Sequence, residues 1–387
     1  MKNLYIVVRS ISFGKGVGGM EKAAEQHIYE MHSKGYCIHL VAPKTRVVGN
    51  IPSFINHIDV PWPVWDKYKV LMTMGAAYYI WCKKVAKKLG VRSNNIDIIH
   101  FHGASAGVLA SLNTELIKNK ATIVNPHGME EFGTGSILRI INRGFTKHLL
   151  RKACLADTVI ATDKRLVEIV RKNLNTEKIT VIPNTIDINA LRRLVKEKKQ
   201  ATDYKIVSVG RIEYNKGYDI LAEALANLTK KEWSQIKFSW DHYGRGKNKV
   251  DIENFCRKNN VKLNIISAAS DEDVQTAIAC SSLFVQPSRY EGSSLTTLEA
   301  MTHGALIVAM PVGGIPDKIF DKYTGFLCKE VSSIALEKSL IEAMKSEEQE
   351  VIRKNARHYV EENFDIHIST EKYDCIYKKF LAEKEIK

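Results

Sequence analysis

Gln286-Pro-Ser-Arg-Tyr-Glu-Gly-Ser-Ser-Leu-Thr-Thr-Leu-Glu-Ala-Met-Thr-His-Gly304 runs from strand through turn into helix. The apolar run 283–286 has strand length and stops at Pro287, which has no amide hydrogen to give a ladder. A glycine-containing turn follows, and Ser293 or Ser294 can cap a helix that carries Leu295, Leu298 and Met301 inward. The first turn of such a helix presents unpaired backbone amides and the positive end of the helix dipole. The amides around Ser294, Leu295 and Thr296 are therefore a candidate site for a diphosphate.

The same alternation recurs on either side of this stretch. Short apolar runs at 4–8, 38–42, 96–101, 122–125, 158–161 and 178–182 are separated by helix-length amphipathic segments. After Pro183 a charged stretch, 192–204, precedes a second series at 205–209, 236–240, 263–266, 283–286, 306–309 and 325–328. Strands joined through helices pair in parallel and are covered on both faces. The expected fold class is α/β, with two Rossmann-like doubly wound domains over residues 1–185 and 186–367. A chain of 387 residues with 45% apolar content can bury two cores. Ligands of such sheets bind outside the carboxyl ends of the strands, so the cleft between the domains is the first place to look.

The net charge of +14 is unevenly placed. Residues 1–190 hold 26 Lys and Arg against 14 Asp and Glu, which leaves 31 against 29 for the remainder. An acidic partner for the first half is expected. Seven scattered cysteines form no CxxC pair and no zinc-like spacing with histidine, which fits a reducing cytosol. The run after Met1 is too short for a signal peptide, and no stretch of about 18 apolar residues exists, so a cytoplasmic protein is expected.

Several residues carry chemistry. Glu291 stands at the turn and Glu299 eight positions later in the helix, where the two could accept hydrogen bonds from ligand hydroxyls or be solvated surface charges. Arg211 and Lys216 follow a strand ending at Val209 and can neutralise a leaving nucleoside diphosphate. The loop Gly14-Lys-Gly-Val-Gly-Gly19 follows the first strand and permits a close backbone approach to phosphate or sugar at Gly18 and Gly19. It is not the dinucleotide G-x-G-x-x-G pattern. His100 and His102 share one face of a strand while Phe101 takes the other. Such a pair could bind metal, but no third ligand is recognisable, so a structural or substrate contact is expected. His127 ends the next strand and could also line an acceptor cleft.

The run from Pro287 to Gly304 resembles the E-x7-E signature of family-four retaining glycosyltransferases. Gly18-Gly-Met-Glu21 is similar to that family's glycine loop, Gly210-Arg-Ile-Glu-Tyr-Asn-Lys-Gly217 to its phosphate clamp, and Val181-Ile-Pro-Asn184 with Asp187 to its inter-domain segment. Gly313-Gly-Ile-Pro-Asp317 completes the set, so the resemblance spans residues 18–317. It implies a GT-B fold and a nucleotide diphosphate sugar as donor, UDP ahead of GDP, with no metal and no other cofactor. By the same resemblance Arg211 and Lys216 bind the diphosphate, Glu291 contacts the donor sugar, Glu299 holds the ribose, and His102 lies near the reacting centre. The first domain would bind a glycan or lipid-linked acceptor, domain closure would exclude water, and a helix over about 368–387 would cross back to the first domain. Thr185 replaces the usual glycine after Asn184, and Ser267-Ala-Ala-Ser270 stands where a glycine often cradles the base.

Residues 66–89 place Val70, Met74, Ala77, Trp81, Val85 and Leu89 at helical spacing, with Lys83, Lys84, Lys87 and Lys88 clustered near the end. Arg139, Arg143, Lys147 and Arg151 form a second row. These helices could lie on an anionic bilayer or face a core with their charges solvated. A sugar phosphorylase or sugar-nucleotide epimerase on the same architecture is a rival reading. A nucleic-acid binder is another, although no aromatic-basic module supports it, and no nucleic acid is expected as partner.

Overall fold

The computed structural model describes residues 1–14, 18–63, 75–127, 146–195, 204–230 and 237–386. The chain divides into two compact units, Met1–Asn184 with His367–Lys387, and Thr185–Ile366.

The first unit contains β1 (Asn3–Val7), β2 (Ile11–Ser12), β3 (Cys37–Ala42), β4 (Val47–Val48), β5 (Asn56–Asp59), β6 (Ile98–His102), β7 (Ala121–Asn125), β8 (Thr158–Ala161) and β9 (Ile179–Val181). Seven of these form one sheet in the order β5-β3-β1-β6-β7-β8-β9, and β2 pairs with β4. Every pair in the large sheet is parallel. Fully buried runs such as Ile98–Phe101 are what a sheet covered on both faces requires. The order reverses between β1 and β6, and loops that leave adjacent strands in opposite directions open a ligand crevice there. The edge strand β5 has no apolar run in its sequence because only its middle is half-buried.

The helix Ala76–Val91 covers one face of this sheet. Its stripe Ala77, Trp81, Val85 and Leu89 is buried in the core with Phe101, and the Trp81 indole donates to the Val60 carbonyl at 3.1 Å. Burial of one such aromatic side chain stabilises the unit by about 1.5–3 kcal/mol. Of the two readings of this stripe the core one holds for Ala77, Trp81, Val85 and Leu89, while Lys83, Lys84, Lys87 and Lys88 face solvent. Residues 66–74, Arg139 and Arg143 lie outside the described residues. The opposite face is covered by the helices Gly19–Ser33 and Ile366–Glu385, with Ile28, Tyr373, Tyr377 and Phe380 against Ile6 and Ile98. Lys384 and Asp157, 2.8 Å apart, fasten the far end of the C-terminal helix to the sheet.

The second unit contains β10 (Tyr204–Val209), β11 (Phe238–Tyr243), β12 (Leu263–Ile266), β13 (Leu283–Gln286), β14 (Ile307–Ala309) and β15 (Phe326–Leu327), in the order β12-β11-β10-β13-β14-β15 and all parallel. Its reversal falls between β10 and β13. The junction at Thr185 needs no left-handed residue: Thr185 is absent from the positive-φ positions and is buried. A local change of turn thus replaces the glycine. All seven cysteines are free thiols.

Candidate active site

The two loops at the second reversal are built into one another. After β10 the chain makes a short turn over Tyr214–Lys216 and leaves through Gly217 at φ 65°. A side chain at Gly217 would meet the Pro287 carbonyl at 1.9 Å, so only glycine lets the loop after β10 lie on the end of β13. Backbone bonds complete the join, with the Arg289 amide donating to the Asn215 carbonyl at 2.8 Å. The segment after β14 closes from the other side. There the Gly314 amide donates to the Gly292 carbonyl at 2.9 Å, and Gly313, at φ 53°, passes against the Glu291 carbonyl.

This scaffold brings Lys216 to Glu291. Lys216 Nζ donates to Glu291 Oε1 at 2.5 Å, and the same oxygen accepts from Gln286 Nε2 at 2.9 Å and Ser288 Oγ at 2.8 Å. Glu291 is 9% exposed, so its charge is held by three donors in a site that is nearly dry. Gln286, the last residue of β13, also accepts from Thr296 Oγ1 at 3.1 Å and so ties strand end to helix start. Beneath them the Tyr218 hydroxyl donates to the Val209 carbonyl; burial and the Glu291 charge keep that phenol protonated. Arg211 is not part of this knot. Its guanidinium is largely exposed and, among the described residues, meets Glu213 at 3.4 Å.

The helix Leu295–His303 is capped by Ser294, whose hydroxyl accepts from the Thr297 amide at 3.3 Å. The Leu295 and Thr296 amides precede the first intrahelical bond, and the cap leaves them for a ligand. Glu299 sits farther along, buried, accepting from Gln275 Nε2 at 3.0 Å. Gln275 in turn meets His303 Nε2 at 2.8 Å. Glu291 and Glu299 thus occupy separate networks, one at the strand ends and one against the helix Asp271–Ala279.

The first unit has its own residues at its reversal. The helix Gly19–Ser33 begins at Gly18, whose φ of −171° any residue could adopt. Gly19 has open space where a side chain would stand, while residues 15–17 lie outside the described residues. Glu21 and Glu25 reach back to the loop, accepting from Ser10 Oγ at 3.2 Å and the Gly14 amide at 2.9 Å. His102 ends β6 and is 2% exposed. Its Nδ1 lies 2.8 Å from Nε2 of His127, which stands half-buried at φ 57° and so is the member of the pair nearer solvent. His100 stacks on His102 and contacts His27 and the Tyr377 hydroxyl. Burial holds His27 down at about 3 and His127 at about 4, with His100 and His102 also well below the usual imidazole range, so these rings are neutral.

Two family models divide the chain between them. Residues 17–190 match Glycosyltransferase Family 4, and residues 192–359 match Glycosyl transferases group 1. The chain belongs to the group 1 glycosyltransferases. Among relatives of this glycosyltransferase is an uncharacterized glycosyltransferase of Methanocaldococcus jannaschii, 29% identical over 71% of this chain and 72% of that one. Another relative is one chain of the phosphatidylinositol N-acetylglucosaminyltransferase of Arabidopsis thaliana, 25% identical over 82% of this chain and 70% of that one. The solved structure of Anabaena HepE with UDP and glucose superposes with a TM-score of 0.72 at 15% identity, covering 98% of this chain and all of that one. The fold of this glycosyltransferase is GT-B.

Sequence reasoning found Lys216, Glu291 and Ser294 but missed Gln286 and Ser288, which hold Glu291 in place. The signal was a polar residue ending an otherwise apolar strand. It missed His27 as neighbour of the His100–His102 pair, because 73 residues of sequence separate partners that a helix and a strand bring together.

Proposed function

We propose that this glycosyltransferase moves a sugar, with retention of anomeric configuration, from a UDP-sugar to a lipid-linked or glycan acceptor. The observation that carries the reading is the Lys216–Glu291 pair at the reversal of the second sheet, beside a capped helix start. Lys216 and Arg211 would neutralise the diphosphate as charge grows on the leaving oxygen, and the Ser294–Thr296 amides would hold it. Glu291, freed from part of its ion pair when phosphate takes Lys216, would accept from donor-sugar hydroxyls. Glu299 would accept from the ribose. These groups supply the positive charge that a metal would otherwise bring, and the transfer needs none. The leaving phosphate would assist removal of the acceptor proton on the same face of the sugar.

In the first unit, Gly18 and Gly19 allow close backbone approach to donor or acceptor, and His102 acts together with His127. UDP is favoured over GDP because HepE, which shares the fold, was solved with UDP. A lipid-linked acceptor is favoured by the Arabidopsis relative, whose name makes phosphatidylinositol its acceptor, and by the four exposed lysines of the helix Ala76–Val91. This reading puts the enzyme at the cytoplasmic face of a membrane, in synthesis of a cell-surface polysaccharide or glycolipid. No helix among the described residues is long and apolar enough to cross a membrane.

Radiolabelled UDP- and GDP-sugars, screened for binding and slow hydrolysis, test the donor; release of UDP with an α-linked product from an α-linked donor supports the reading. Inversion at the anomeric carbon refutes retention. Turnover that requires inorganic phosphate, or sugar interconversion without acceptor, would instead make the protein a phosphorylase or an epimerase.

A further inference from the structure

The first unit holds an arginine at its strand ends. β1 and β6 pair Val7 with Phe101, so Arg9 and His102 both lie just past that pair, at the end of the sheet where its strand order reverses. The Ser105 hydroxyl spans the two strand ends, 2.6 Å from the Val7 carbonyl and 2.9 Å from the His102 carbonyl. Tyr78, buried on the helix Ala76–Val91, donates its hydroxyl to the Ala104 carbonyl. It fits because residue 107 is glycine, where a side chain would meet that hydroxyl at 1.9 Å. The Arg9 guanidinium lies over this fixed ring, 5.8 Å from its centroid.

A ring contact restrains a guanidinium without using its five N–H donors. Among the described residues none of those donors meets an acceptor, and no carboxylate stands within ion-pair distance. Glu21 and Glu25, the carboxylates at the start of the helix Gly19–Ser33, accept from Ser10 Oγ and the Gly14 amide instead. An arginine with a purely structural task looks different in this chain: Arg289 meets both oxygens of Asp219 at 2.7 Å and the Tyr214 carbonyl at 2.9 Å. Arg9 is half-buried, so it has lost part of its hydration with no acceptor among the described residues to replace it. A flat N–H fork of this kind matches the paired oxygens of a phosphate or carboxylate.

We propose that Arg9 binds an acidic group, a phosphate or a carboxylate, carried by the acceptor, and so selects anionic acceptors over neutral ones. The inference rests on the reading of the first unit as the acceptor half of a glycosyltransferase, and it names the chemistry that half recognises. Its place fits the task, since ligands of parallel sheets bind in the crevice outside the strand ends where the order reverses. The basic excess of residues 1–190, 26 Lys and Arg against 14 Asp and Glu, draws an anion toward the same half at longer range. The exposed lysines of the helix Ala76–Val91 would meet any anionic surface. Arg9, held over Tyr78, reads one group at one point. A guanidinium that grips a part of the acceptor away from the reacting atoms acts through affinity, and its loss shows in acceptor KM before kcat.

The full chain, saturated with UDP, is titrated by calorimetry with glucose 6-phosphate, glucuronate and glucose, which differ only in the group at carbon 6. The proposal expects at least one of the two acids to bind about 10-fold or more tighter than glucose, the size of a charge-assisted hydrogen bond. Which acid gains tells phosphate from carboxylate. Arg9→Met, which keeps an apolar stem over Tyr78, should remove the preference, and Arg9→Lys should restore part of it, with UDP affinity unaltered in both. Arg9→Gln replaces Arg9→Met if the latter does not fold, and the comparison on the unaltered protein stands in any case. Equal affinity for acid and neutral sugars, no binding of any of the three at millimolar concentration, or a preference that survives in folded Arg9→Met overturns the assignment. A fall in UDP affinity in Arg9→Met also overturns it, by giving the guanidinium to the donor. Failure of the unaltered protein to bind UDP is a different result: it removes the UDP-sugar reading, and the three sugars titrated without nucleotide then decide Arg9.

Discussion

Lys216 Nζ donates to Glu291 Oε1 at 2.5 Å, joining the loops that follow β10 and β13 across the point where the second sheet reverses its order. The pair is partly buried, so removal of either partner leaves the other's charge poorly solvated. Lys216→Ala should lower kcat/KM by about 100-fold or more with the fold retained, because it removes charge that stabilises the leaving group. Arg211→Ala should have a comparable effect on kcat/KM but almost none on Tm, since its guanidinium is exposed and its partner among the described residues is the neighbouring Glu213. Steady-state kinetics beside thermal melts test both, and near-normal activity in both variants would remove the clamp assignment.

The two glutamates should separate kinetically. Glu299→Gln is expected to weaken binding of the free nucleoside diphosphate, measured by calorimetry. Glu291→Gln should spare that affinity and mainly impair turnover of the intact sugar nucleotide. Because Gln275 donates to Glu299 Oε2, Gln275→Leu should reproduce a weakened form of the first effect. The opposite pattern would exchange the two roles.

Gly217→Ala tests the scaffold rather than the chemistry. At φ 65°, with the Pro287 carbonyl 1.9 Å from the added carbon, the substitution must displace the loop after β10 and should cost about 2 kcal/mol or more. Denaturant unfolding should show that loss, and activity should fall with it since Lys216 directly precedes Gly217 in the same turn. Gly19→Ala, which meets open space, is the control and should change stability by less than about 1 kcal/mol.

His242 makes stability depend on acid. Burial lowers its pKa to about 4, although the Gly210 carbonyl, 3.0 Å from Nε2, pulls the other way. The unfolded chain takes up its proton near 6.5 and the folded chain only near 4. Stability present above pH 6.5 is therefore lost as pH falls through that window, by at most about 1.4 kcal/mol per unit. Between pH 6.5 and 4.5 the denaturant midpoint should fall further in the protein than in His242→Gln, which has nothing to titrate at that position. An identical pH dependence in the two would refute the assignment.

Lys83, Lys84, Lys87 and Lys88 test the membrane reading in the form the fold allows, as a charged face without an inserted stripe. Vesicles with anionic lipid should sediment the protein, more weakly as salt rises, and neutral vesicles should not. Reversal of the four lysines to glutamate should abolish sedimentation while preserving donor hydrolysis. Equal binding to both kinds of vesicle, or to neither, would favour a soluble acceptor.

Both sheets were legible because parallel strands buried on two faces leave uninterrupted apolar runs, and most of the core strands announce themselves this way; β5, half-exposed at an edge, does not. Glu291 and Lys216 could be found because glycines bracket them at strand ends. Gln286 and Ser288 could not, since their importance lies in where their side chains point once the turn has formed. The stripe of the helix Ala76–Val91 was ambiguous for a different reason: one amphipathic pattern fits a bilayer and a protein core equally, and only the neighbouring sheet decides.

The chain leaves the first unit once, after Asn184, and returns to it at His367. On a ribosome, which delivers residues from the N-terminus, the first unit must wait with part of the face of β1 and β6 uncovered, beside the helix Gly19–Ser33, until Tyr373, Tyr377 and Phe380 emerge. The second unit, contiguous in sequence, can close earlier. The half that is begun first is thus finished last, and a frameshift or nick near residue 366 would spare the second unit while leaving the first with exposed apolar surface for chaperones and proteases to find.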